Sequence, residues 1–285
     1  MKNALLSVIV TMCCAPVFGQ GGPPLVIGIS RESIKEGRGA AHEKVEMDFA
    51  RAFRKANFPY HYLALNAMTG TTEVWFLEEY PSFEAVEKAD KEFAKPPMKN
   101  DMEMLDARDG ELRSGMRNTY AVYHPELSYR PDLANLGKTR YVRVNSYRVR
   151  LGQVESFMES GKKILAAYQK ANLDIPVIAY EVVAGVPEGL YLFLTPMESL
   201  KTMDERPARE KALMEALGAE NFSNIMKGTG QVIVSIETNL LSVNPRMSYV
   251  SKETEDVDPA FWRPKMTAAP KPSADAKPKE TKPGQ

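Results

Sequence analysis

Residues 37–81, GRGAAHEKVEMDFARAFRKANFPYHYLALNAMTGTTEVWFLEEYP, lie without a gap on residues 152–196, GQVESFMESGKKILAAYQKANLDIPVIAYEVVAGVPEGLYLFLTP, an internal repeat at a separation of 115. Ten of the 45 aligned positions are identical, where average composition gives roughly one in sixteen. The matches are structural punctuation: Gly37 with Gly152, Lys55-Ala56-Asn57 with Lys170-Ala171-Asn172, Gly70 with Gly185, Leu77 with Leu192, Pro81 with Pro196. They speak to fold rather than chemistry. So long a period exceeds the roughly 20–50 residues of solenoid and propeller units, so each copy is expected to be a small domain or half of a shared one.

Working outward, the hydrophobic period changes in the same order in each copy. Tyr141 to Val149 alternates as a strand does, and is followed by a helical stripe of Val154, Phe157, Met158, Gly161, Ile164, Leu165, Tyr168 and Ala171. Ala41, Val45, Phe49, Ala52, Phe53 and Ala56 form the matching stripe in the first copy. The shared Lys-Ala-Asn reads as a helix stop, in which Asn takes the left-handed conformation and Phe58 or Leu173 folds back on the last turn. Segments 60–67 and 73–79 around Gly70, and 175–183 and 190–194 around Gly185, read as hairpins.

A second helix is expected after each hairpin. In the first copy it uses Phe83, Val86 and Ala89; in the second, Thr195-Pro196-Met197-Glu198 reads as a capping box ahead of Met197, Leu200 and Met203. Stretches 96–114 and 207–229 read as further short helices. Strands at 116–123 and 231–238 close the copies, with Gly115 and Gly230 at the repeat offset. The order is β-α-β-β-α-β, the ferredoxin-like unit.

Composition narrows the function classes. Charge is balanced at 37 basic against 37 acidic residues, with the two signs interspersed, which argues against a nucleic-acid face. Residues 1–19, with Lys2 and an apolar stretch from Ala4 to Phe18, read as a signal peptide, implying a secreted or periplasmic protein with no membrane span after cleavage. Cys13 and Cys14 both lie inside it, so disulfides, thiol catalysis and thiolate metal sites are excluded for the exported chain. Residues 263–285, rich in Pro, Lys and Ala, read as a disordered tail. Phe261-Trp262 just before it is expected to dock on the protein's own body.

One ferredoxin-like unit covers only one face of its sheet with helices, so two units in one chain can bury the other faces against each other. With its element order and its Lys-Ala-Asn, Gly and Pro landmarks, the chain resembles the dimeric α+β barrel superfamily, which includes antibiotic-biosynthesis monooxygenase-like and NIPSNAP-like proteins. The resemblance covers about residues 25–245. It implies an α+β protein in which two tandem ferredoxin-like repeats, 25–130 and 140–250, form the barrel within one chain, so that a dimer is unnecessary while further self-association stays open.

If Val142, Val144, Ile27 and Ile29 face the helices, the opposite parity places Ser30, Glu32, Phe76, Glu78, Arg143, Asn145, Tyr147, Tyr191 and Phe193 between the two sheets. On the last strands Tyr120, His124, Ser235 and Glu237 join them. Mixed polar and aromatic groups suit a small-molecule pocket. Against this stands a plainer reading, in which Arg143 pairs with Glu32, Glu78 or Glu237 to fasten the halves.

His124, Glu78 and Glu237 are the candidate proton-transfer groups. Some haem-binding families share this barrel, and His124 would be the axial candidate, but no motif surrounds it. No metal-spaced His pair, HExxH, Walker loop, GxSxG or GxGxxG occurs. No cofactor or metal is therefore predicted. The expected function is binding of a small, partly apolar molecule. The alternatives are a cofactor-independent monooxygenase-like enzyme acting on an aromatic substrate, and an interaction protein with a filled barrel.

Overall fold

In the computed structural model, which describes residues 22–264, eight strands close into one antiparallel barrel. Residues 1–21, which include the segment read as a signal peptide, and residues 265–285 of the tail lie outside the described residues. The first half runs β1 (Val26–Ile34), α1 (Gly39–Ala56), β2 (Tyr62–Ala67), β3 (Glu73–Tyr80), α2 (Phe83–Phe93), α3 (Met98–Gly110) and β4 (Arg113–Tyr123). The second runs β5 (Tyr141–Val149), α4 (Val154–Lys170), β6 (Ile178–Ala184), β7 (Leu190–Met197), α5 (Lys201–Asp204), α6 (Arg206–Leu217), α7 (Ala219–Val232) and β8 (Ile233–Val243). Two short helices follow, α8 (Lys252–Val257) and α9 (Pro259–Trp262). Around the barrel the order is β1-β3-β2-β8-β5-β7-β6-β4, so β2–β8 and β4–β6 are the two seams between halves. Among the described residues no helix is long and apolar enough to cross a membrane.

The helix stops form as their residues dictate. Asn57 and Asn172 take φ of 49° and 44°, and the amides of Phe58 and Leu173 reach back to the carbonyls of Phe53 and Tyr168. Gly70 and Gly185 supply positive φ of 80° and 93° at the hairpins.

The gapless alignment holds only as far as those hairpins. Leu77 lies opposite Ile29, whereas opposite Val144, the equivalent of Ile29 at the 115 offset, lies Leu194 rather than Leu192. The second hairpin is therefore two residues longer, an even insertion that keeps every side chain on its face. Residues 195–197 consequently finish β7 instead of capping a helix, and the next helix begins only at Lys201. Pro196 is tolerated there because its nitrogen faces the side on which β6, paired no further than Ile178–Leu194, has already ended. Gly115 lies in β4 but Gly230 in α7, so those two glycines do not correspond either.

The parity of β1, β3, β5 and β7 is the reverse of the one expected, whereas Ser235 and Glu237 on β8 face the barrel interior as expected. Ile27, Ile29, Leu63, Trp75, Leu77, Val142, Val144, Tyr180, Leu194 and Leu241 meet inside the barrel as one buried cluster. A closed barrel encloses that space on every side, so the branched aliphatics, which have no polar tip to satisfy, belong there. The amphipathic residues of β1, β3, β5 and β7 point outward to the helices, where polar tips find partners or cleft space.

What remains open inside the barrel is small. A cavity of about 50 Å³ beside Glu79 and Tyr180 lies near one end, and one of about 130 Å³ ringed by Arg31, Arg117, Arg148 and Glu237 opens at the other. The C-terminal helices seal the flank. Trp262 is buried with its Nε1 donating to the Gly137 carbonyl at 2.9 Å, and Arg140 lies 3.7 Å over the Phe261 ring, so both aromatics dock on the chain itself.

Candidate functional site

A cavity of about 260 Å³ lies between the outward face of the second half's sheet and helices α4 and α7. Alternation along β5 brings Arg143, Asn145 and Tyr147 to that face, and β7 adds Phe193 and Thr195. Across from them α4 presents Phe157, Ser160, Gly161, Ile164 and Tyr168, spaced by single helical turns, and α7 presents Asn224, Ile225, Gly228 and Thr229. Gly161 permits the close approach of α4, since a Cβ there would stand 2.6 Å from Leu127 Cδ2. The wall is mostly apolar, with a few convergent polar groups.

Arg143 is the exceptional group. Its Nε is buried without a hydrogen-bond partner among the described residues. Burial and then the nearby Arg206 charge hold its guanidinium below the ordinary arginine range. None of the acids proposed for it is a partner. Glu32 pairs with Arg113 at 3.0 Å, Glu78 accepts from the Tyr80 hydroxyl at 3.0 Å, and Glu237 accepts from Asn239 Nδ2 at 2.7 Å. A smaller cavity of about 80 Å³ continues past Arg143, Tyr168 and Thr195 to Arg206 and Arg209. Burial raises the phenol pKa of Tyr147 and Tyr168, so both are neutral and available as donors.

Of the residues expected between the sheets, the cavity brings together Arg143, Asn145, Tyr147 and Phe193. Tyr191 shares their strand face but is covered by the Phe157 ring, 4.8 Å between centroids, and its hydroxyl donates to Glu181 at 3.1 Å. Ser30, Glu32, Phe76 and Tyr120 point toward the first half's helices, with Phe76 and Tyr120 in that half's core. They do not share a site with Arg143.

The proton-transfer candidates are likewise dispersed. Glu78 sits under α2 in the first half, Glu237 lines the open end of the barrel, and His124 packs edge-on to Tyr191 at 6.0 Å. His124, the residue expected as an axial haem candidate, is not among those lining the cavity.

A second polar assembly went unread in the sequence. Glu32 from β1, His42 and Glu46 from α1, and Asp109 from the end of α3 converge in the first half, all buried. His42 Nε2 lies 2.8 Å from Glu32 Oε2, 3.4 Å from Asp109 Oδ1 and 3.9 Å from Glu46 Oε1. Burial first, and then the neighbouring Glu32, push Asp109 up to about 6 and Glu46 well above the carboxylate range. The one trace in the sequence is His42 and Glu46 four residues apart on a helix.

No family model matches the chain, and no curated protein does. Its fold is shared with solved structures. An anthrone oxidase-like protein is 12% identical with a TM-score of 0.52, covering 77% of this chain and 91% of that one. A monooxygenase-like protein from Fusobacterium nucleatum is 10% identical with a TM-score of 0.50, covering 78% and 93%. Chlorite dismutase from Candidatus Nitrospira defluvii is 8% identical with a TM-score of 0.46, covering 82% and 95%. The class is thus a mixed α+β protein built on a closed eight-stranded antiparallel barrel.

Proposed function

We propose that the chain is a tandem fusion of two ferredoxin-like repeats, and that it binds one small aromatic molecule bearing an anionic oxygen between the sheet and helices of the second. The observation that carries this reading is Arg143, a half-buried guanidinium with no acid partner and a buried, unbonded Nε, on the wall of a largely apolar cavity. A buried charge without a counter-charge is costly, and an incoming anion relieves it. Phe157, Phe193 and Ile225 offer faces for a ring, while Asn145, Thr195 and the neutral Tyr168 supply hydrogen bonds. The volume is below the roughly 300–1,000 Å³ of drug-sized sites, which suits a molecule of one or two rings.

Calorimetric titration with aromatic carboxylates and phenols, each beside its uncharged analogue, tests the reading. Preference for the anion, abolished in Arg143→Met, supports it; equal binding of neutral and anionic forms refutes it.

A second reading is a cofactor-independent oxygenase acting on an electron-rich aromatic. Arg143 again favours it, because a guanidinium that holds an ionised aromatic hydroxyl keeps the substrate in its more oxidisable form. Two of the fold relatives are described as monooxygenase-like and anthrone oxidase-like. Oxygen uptake with an anthrone separates turnover from binding alone. The filled-barrel reading applies to the space between the sheets and leaves the sheet–helix cavity free. Export after loss of residues 1–19 belongs to the same proposal; N-terminal sequencing of the mature protein that begins near Gln20 supports it, and a start at Met1 opposes it.

A further inference from the structure

We propose that Glu32, His42, Glu46 and Asp109 bind a divalent transition-metal ion that clamps β1, α1 and α3 together in the first half. The four potential ligand atoms lie within 4.8 Å of one another, and each comes from a buried residue. Ligands about 2.1 Å from a tetrahedral ion stand roughly 3.4 Å apart. The 3.4 Å from His42 Nε2 to Asp109 Oδ1 and the 3.9 Å to Glu46 Oε1 are close to that spacing. The 2.8 Å contact to Glu32 Oε2 is a hydrogen bond that opens when the imidazole nitrogen gives up its proton to bind a metal.

Arg113 divides the carboxylates between two tasks. It holds Glu32 Oε1 at 3.0 Å and Asp109 Oδ2 at 2.7 Å, leaving Glu32 Oε2 and Asp109 Oδ1 turned toward His42. Outer partners orient metal-binding carboxylates in this manner.

One carboxylate oxygen of the cluster is left without a partner. Asp109 Oδ1 is buried with no hydrogen bond among the described residues. Glu46, whose side chain is 7% exposed, has its nearest ionic neighbour at 3.9 Å, beyond hydrogen-bonding reach. Arg113 is also shared with Asp106 at 2.6 Å, so the acids around it outnumber the one guanidinium, and a divalent cation supplies the positive charge that the cluster lacks. A donor set of one imidazole nitrogen and three carboxylate oxygens fits Zn²⁺, Mn²⁺ or Fe²⁺. All four residues are buried, so the ion would act in folding rather than in turnover.

The test uses the mature chain stripped with chelator and titrated separately with ZnCl₂ and MnCl₂. Retained metal after gel filtration and the melting temperature are the readouts. One retained equivalent per chain, with a raised melting temperature, is expected from at least one of the two salts. Glu46→Gln should weaken retention beyond the roughly 10–100-fold that loss of an outer partner causes, while the metal-free variant melts no lower than the metal-free parent. Asp109→Asn repeats the comparison at a second ligand. No retained ion from either salt, or equal retention and an equal melting shift in both variants, overturns the site.

Discussion

Arg143 has as its strongest charged neighbour another cation, Arg206, rather than an acid. Both line the continuation of the sheet–helix cavity, and Arg206 is itself bonded to Glu210. Glu210, which lines the same cavity, offsets the Arg206 charge, so the uncompensated cation that an anion meets there is Arg143. Arg143→Met should weaken binding of an aromatic carboxylate by about 2–4 kcal/mol, the range for losing one side of a buried charge pair. The unliganded variant should be at least as stable as the parent, because the uncompensated charge is gone. Calorimetry and denaturant titration check the two halves of this expectation.

Filling the cavity separates shape from charge. Ile225→Trp projects from α7 into the space beside Phe193 and Arg143. Binding should be lost, with a stability change within the roughly 1–3 kcal/mol of overpacking. Retained affinity in a folded variant would place the ligand elsewhere.

Glu79 gives the barrel a pH dependence. It lines the apolar cavity beside Leu63, Leu77 and Tyr180, and burial raises its pKa from 4.5 to about 8. The folded state holds this proton more tightly than the unfolded one, so stability falls as pH rises from about 4.5 through 8 and levels off above. Glu79→Gln should flatten that slope and gain about 2–4 kcal/mol over the parent at pH 9, with little difference at pH 4. Melting curves across this range decide it; parallel pH profiles for the two proteins would contradict it.

The helix stops offer a local test. Asn172→Ala forces a Cβ without a local hydrogen bond into the left-handed region, where φ is 44°, and should cost about 1 kcal/mol. Asn172→Gly should be neutral or slightly stabilising, since glycine adopts that conformation freely. Urea midpoints distinguish the two.

These stops were the most legible part of the chain, because Asn followed by an apolar residue encodes a local geometry. Facing was not legible. Val142-Val144 and Arg143-Asn145 alternate unambiguously, yet alternation alone cannot say which side looks into a closed barrel and which meets helices. The two-residue lengthening before β7 was hidden by chance identities, Leu77 with Leu192 and Pro81 with Pro196, that do not occupy equivalent places. Arg143, Asn145, Tyr147 and Phe193 were grouped correctly by period, but around the wrong space. The Glu32–His42–Glu46–Asp109 assembly was missed because its members come from three elements up to 77 residues apart, and only tertiary folding joins them.

Native mass spectrometry of the mature chain, taken from the compartment in which it accumulates, tests the cavity most directly. The parent should carry one noncovalent aromatic anion, released on denaturation, and Arg143→Met should carry none. A ligand-free parent that takes up no aromatic anion on titration, or an adduct kept unchanged by Arg143→Met, would contradict the account.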